Sequence, residues 1–235
     1  MQAESEADLK SRDEKGLRPI ADIPRTLDES AERMHYFSLY GKIIIGAAPA
    51  IAFLIYSVVG FVSPRLRTIV DERLSLIGQY ELYWVYLGWY IVFLTRCYMS
   101  INANGARLPA RVDRPDQHAY KIMSKSKPLA DAPYVLMENA GPVGRFNRAQ
   151  RAAAHMDEFV ALFLTATMLG ACVFGPVSVL VALIYAYARI SFANSYTEHK
   201  QDRLKGIVLI VAAEHISAGL ILFIAVKAAF FVQTF

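Results

Sequence analysis

Phe146-Asn147-Arg148-Ala149-Gln150-Arg151-Ala152-Ala153-Ala154-His155-Met156-Asp157-Glu158 leads into an apolar stretch that continues to Cys172. Its length and its helix-forming residues predict a membrane-spanning helix over about 149–172. The first two turns are nevertheless charged. Arg151, His155 and Glu158 stand at i, i+4 and i+7, so they share one helix face. Ionisable groups at that depth cost several kcal/mol unless they are paired or wetted, which makes them functional candidates. The plainer alternative is that Arg151 and Glu158 neutralise each other or snorkel to the interface.

Working outward, four more apolar blocks frame this one. The first runs from about Lys42 to Val62, roughly 20 residues, enough for about 30 Å of hydrocarbon. Pro49 is expected to kink it without preventing a span. A short polar linker, 63–78, leads to a second block at about 80–102. That block starts with Tyr80, Tyr83, Trp84, Tyr86, Trp89 and Tyr90, the composition of an interfacial belt. A long polar loop, 103–144, holds five prolines and many basic residues. The fourth and fifth blocks cover about 174–194 and 206–232, with a tight turn at Phe174-Gly175-Pro176 before the fourth. Residues 1–36 form a polar tail. It has no apolar core for a signal peptide, and it is too rich in acids for a usual transit peptide. Such a tail is either disordered or held by a partner protein.

Composition agrees with this reading. The 235 residues are 55% hydrophobic, and mean hydropathy is +0.30, above the range usual for soluble domains. Net charge is only +4, too mild and too dispersed for a nucleic-acid partner. Cys97 and Cys172 lie inside apolar blocks, so neither a disulfide framework nor a cysteine metal site is expected. Five spans place the tail, the 103–144 loop and the 197–205 loop on one side. Lys and Arg are denser there, which orients that side to the cytosol or to a mitochondrial matrix. Spans without inverted repeats or broken helices give no sign of a transporter.

The same topology brings Asn102 and Arg107, from the end of the second span, to the level of Arg151. It also brings Tyr196, His199 and Arg203 there, from around the last loop. Arginines bind carboxylates in bidentate fashion, a carboxylate accepts from an ammonium, and a cation beside a thiol favours thiolate. The group therefore suits a small zwitterionic ligand. Arg96, Glu214 and His215 are expected to have structural roles, with Glu214 or His215 pairing with Arg96 or a neighbouring helix. Lys227 is expected to snorkel. His155, His199 and Glu158 match no zinc spacing, so no metal is expected.

Three strings carry a family resemblance. Phe146-Asn147-x-x-Gln150-Arg151-Ala152-x-x-His155-x-x-Glu158 resembles the second-helix signature of the MAPEG superfamily, the membrane-associated proteins of eicosanoid and glutathione metabolism. Its nearest branch is the microsomal glutathione transferase 3 type. Ile101-Asn102-x-x-x-Ala106-Arg107-x-x-x-x-Val112-x-x-Pro115 resembles the end of the family's first helix and its loop. Tyr185-x-Tyr187, Tyr196 and Arg203 resemble the end of the third helix and the loop after it. Order and spacing agree over roughly 80–232.

The resemblance implies an all-α integral membrane protein with a MAPEG-like four-helix bundle over 79–235; the first apolar block adds, outside the resemblance, one N-terminal transmembrane helix over 37–63. It implies a homotrimer that binds glutathione near subunit contacts and conjugates it to lipophilic electrophiles, or reduces lipid hydroperoxides with it. By position, Arg151 and Glu158 would bind the charged ends of glutathione, Tyr196 would add a hydrogen bond, and Arg107 would add positive charge. Arg203 would stabilise the thiolate as the catalytic residue. His155 replaces the family's Asn and retains hydrogen-bonding capacity. Phe192 replaces a frequent Tyr and lacks its hydroxyl, and Leu108 stands where some members have a second Arg.

An alternative follows from these departures, the extra span and the tail. In it, the fold serves as an accessory subunit of a large membrane complex of the mitochondrial inner membrane. Other subunits would then contact the tail and first helix. The endoplasmic reticulum is the other expected location.

Overall fold

The computed structural model describes residues 29–112, 137–198 and 203–231. The chain builds helices α1 (Glu29–Gly41), α2 (Ala48–Val62), α3 (Pro64–Gln79), α4 (Tyr83–Ala110), α5 (Gly141–Ala171), α6 (Gly175–Thr197) and α7 (Arg203–Phe231), with a π-helical segment at Lys42–Ala47 joining α1 to α2. Among the described residues four stretches are long and apolar enough to cross a membrane: Ser30–Val62, Gly141–Ala171, Gly175–Thr197 and Leu204–Phe230. The expected second span, α4, has 28 residues. Its length suffices, but it is not among these four; the polar rings of its aromatic start and Arg96 lower the hydropathy of its most apolar part.

Helices α4–α7 form an antiparallel bundle in which α4 packs on α5 and α6, and α7 packs on α6 and α5. Met99, Met156, Phe163, Tyr185 and Ala182 fill its centre, and the Phe163 and Tyr185 rings stack with centroids 3.7 Å apart. The tight turn between α5 and α6 works because Gly175 leaves space for Trp84. A Cβ there would lie 2.3 Å from the indole. Likewise Gly206 lets α7 cross α6 at Phe192, whose backbone would lie 3.0 Å from an added Cβ.

The extra helix is continuous from Glu29 to Val62 but changes geometry at Lys42–Ala47. Pro49 supplies no amide hydrogen, and its ring crowds the carbonyl of Ile45. The preceding turn accordingly adopts π-helical geometry at Lys42–Ala47. Only the first part of this helix docks on the bundle, α1 lying along α4. Ala48–Val62 buries no residue and packs mainly against the π segment and α3.

Three boundaries differ from the sequence expectation. Residues 63–78 are not a linker: α3 is a helix, capped by Ser63, whose Oγ accepts from the Leu66 amide, and started by Pro64. The 103–144 loop is shorter, because α4 runs to Ala110 and α5 begins at Gly141. Ala103, Ala106 and Ala110 supply a buried face at helical spacing, although their side chains are too small to register as hydrophobic. Residues 113–136 lie outside the described residues. The polar tail was expected to extend to 36, but its last part is already helical from Glu29. Residues 1–28 lie outside the described residues.

Candidate functional site

The charged face of α5 has the arrangement its spacing predicts. Arg151 Nη1 donates to Glu158 Oε1, the mutual neutralisation that the plainer alternative expected, and both side chains are about half exposed. His155 lies between them, its ring 5.4 Å from that of Phe192 on α6. Phe192 stacks in turn on Tyr196, with centroids 5.5 Å apart. Tyr196 follows Phe192 by one turn near the end of α6. Four of the predicted residues (Arg151, His155, Glu158 and Tyr196) therefore occupy one surface between α5 and α6.

Arg107 stands one layer further towards the loops. It sits in the last turn of α4, with its guanidinium carbon 5.0 Å from the centre of the Phe146 ring. Phe146 precedes Arg151 by five residues, about 7.5 Å along the helix. Arg203 begins α7, but its side chain lies outside the described residues, as does His199.

The first turns of α5 are tied down by Arg145 and Arg148, to which the sequence reading gave no role. Arg145 forms an ion pair with Glu198. Arg148 donates to the Thr197 carbonyl at 3.0 Å and to the Asn139 carbonyl at 2.8 Å. Asn102, buried on α4, donates to the Thr197 hydroxyl at 2.9 Å. These bonds join the ends of α4, α5 and α6 at the level of the site.

Beneath the surface lies an unforeseen cation. Arg189 on α6 is 1% exposed. Its Nη2 donates to Glu214 at 2.9 Å, its Nη1 lies 2.8 Å from His155 Nδ1, and its guanidinium carbon lies 4.9 Å from the centre of the Tyr185 ring. Glu214 therefore does not pair with Arg96, as one expectation had it. Arg96 is instead held by Asp157 through two bonds of 2.6 and 2.9 Å. The signal for Arg189 was present, since an arginine inside an apolar span requires a partner. Nothing local indicated which one.

An arginine only donates, so His155 Nδ1 must accept and the ring proton resides on Nε2. His155 thus offers a single N–H to a ligand. Arg151 and Glu158 supply one cation and one anion within reach of each other, matching the two charge types of a zwitterion. Among the described residues no three His, Cys, Asp or Glu side chains converge to hold a metal ion.

Comparison with protein families matches residues 85–227 to the model described as "MAPEG family". The match covers more than half of the chain and runs from α4 into α7. No curated protein and no solved structure matches the chain.

Proposed function

The chain belongs to the MAPEG family, and from that premise we propose that it binds glutathione on the Arg151–Glu158 face and transfers it to lipophilic electrophiles, or uses it to reduce lipid hydroperoxides. One observation carries this reading: Arg151 and Glu158 pair with each other on an accessible surface beside Tyr196. A zwitterionic ligand exchanges into such a pair, its carboxylate onto Arg151 and its ammonium onto Glu158. Tyr196 and His155 Nε2 then supply hydrogen bonds. Arg203 is the residue proposed to hold the thiolate, whose sulfur bonds the electrophilic carbon as the leaving group departs. The electrophile arrives through the surrounding lipid. A homotrimer places this outward face near a neighbouring copy. The basic end of the bundle faces the cytosol or the matrix, in the endoplasmic reticulum or the mitochondrial inner membrane.

A second reading has a specific observation in its favour. Ala48–Val62 stands away from the bundle with Phe53 71% and Phe61 91% exposed, and the site lacks a hydroxyl at Phe192. This combination suits an accessory subunit of a membrane complex. Calorimetry with glutathione on the purified chain, beside Arg151→Ala, separates the two. Saturable binding that is lost in the variant supports the first reading. No binding up to millimolar glutathione removes it and leaves the second.

A further inference from the structure

A separate apolar groove lies on the other side of α4, between the docked part of the N-terminal helix and α4 and α6. It encloses about 370 Å³, within the size range of small-ligand sites. Phe37, Ile44, Ile91, Ile101, Leu183 and Ile190 are among its walls. Between Ile91 and Ile101 it follows ten residues of α4, about 15 Å, or half the thickness of a bilayer's hydrocarbon. The groove is thus as long as one leaflet is deep.

One end of it carries a cation. Arg33 lies beside Gly105, one turn beyond Ile101, and its stem fits there only because Gly105 has no side chain: a Cβ would lie 2.1 Å from Arg33 Cγ. Arg33 Nη2 donates to Tyr98 Oη at 3.0 Å and to Asn194 Oδ1 at 3.2 Å. Tyr98 in turn donates to Asn194 at 2.6 Å. Both partners of Arg33 are neutral. Among the described residues no carboxylate neutralises Arg33, although Arg96, Arg145, Arg151 and Arg189 each have one. Helix α1 runs antiparallel to α4, with Arg33 at Gly105 and Ile44 at Tyr90. This places the cation towards the end where α4 meets its basic loop, the end that the proposed orientation turns to the membrane surface.

We propose that this groove is a binding site for one anionic phospholipid, with an acyl chain along Ile91–Ile101 and the headgroup phosphate on the Arg33 guanidinium. The site joins the extra helix to the bundle, so the lipid acts as a third component of that contact. It is independent of the glutathione reading.

The test uses the full chain in mild detergent, loaded with phosphatidylglycerol or phosphatidylcholine and read by native mass spectrometry. Phosphatidylglycerol should be retained at one per chain, in preference to phosphatidylcholine. Arg33→Gln should weaken that retention about fivefold, the worth of one basic residue at an anionic surface, and Arg33→Lys should keep most of it. Ala186→Trp, which fills the groove, should remove the bound lipid while leaving Arg33 in place. Equal retention of the two lipids overturns the proposal, as does an Arg33→Gln protein that behaves like the parent. It is also overturned if inorganic phosphate at millimolar concentration displaces the lipid, or if a photo-crosslinker at position 186 captures residues 1–28 or a second copy instead of lipid.

Discussion

Arg189 Nη1 lies 2.8 Å from His155 Nδ1 while Nη2 of the same guanidinium lies 2.9 Å from Glu214. A fully buried cation on α6 therefore links the candidate site on α5 to the middle of α7. Removing only its anion strands a charge in an apolar interior. Glu214→Leu should destabilise the protein by about 3–5 kcal/mol, whereas Arg189→Met with Glu214→Leu should recover most of the loss. Thermal unfolding in detergent, compared across the two variants and the parent, checks this. A double variant less stable than Glu214→Leu would contradict it.

The same contact fixes a tautomer. Nitrogen NMR on histidine-labelled protein should show His155 with Nδ1 unprotonated and the proton on Nε2. Arg189→Met, carried with Glu214→Leu to preserve folding, should release this preference. A dominant Nδ1–H form in the parent protein would show that Arg189 does not orient the ring.

Close backbone approach predicts a steric effect at the crossing of α6 and α7. An added Cβ at Gly206 meets Phe192 backbone atoms at 3.0 Å, which cannot rotate aside as a side chain can. Gly206→Ala should cost about 1–3 kcal/mol and disturb Phe192, the ring between His155 and Tyr196. Unchanged thermal stability would mean the helices separate freely there.

Docking of the extra helix should depend on Gly105, against which Arg33 lies. Gly105→Val should push α1 off α4 and speed tryptic cleavage after Arg33, while the bundle keeps its helical circular dichroism. Unaltered cleavage would show that α1 is held by other contacts.

Phe192 offers a test of the site chemistry. Phe192→Tyr supplies a hydroxyl beside Tyr196 and His155, and should strengthen glutathione binding by about 0.5–1.5 kcal/mol, one hydrogen bond. Calorimetry reads it directly, and weaker binding than in the parent would place the ligand elsewhere.

Much of this protein is legible along the chain because the information is local. Apolar blocks of bilayer length mark the helices, and the i, i+4, i+7 spacing of Arg151, His155 and Glu158 puts them on one face whatever surrounds them. The strings around them carry the family. Helix α3 was also legible in principle, from Ser63 followed by Pro64, a start signal overlooked among charged residues. The continuation of α4 to Ala110 was harder to see. Its buried face is alanine and glycine, which pack closely yet add little hydrophobicity.

The apolar helices, the family and the charged face of α5 were thus legible from residues close together in the chain. Helix packing decided which partner each buried or half-buried arginine takes. Arg96 takes Asp157, Arg189 takes Glu214, and Arg33 takes Tyr98 and Asn194. These partners stand 25 to 161 residues apart. Helix periodicity is a property of neighbours in the chain. A salt bridge between helices depends instead on which faces the bundle turns together and at what height, and small residues such as Gly105 and Gly206 set that by allowing backbones to approach.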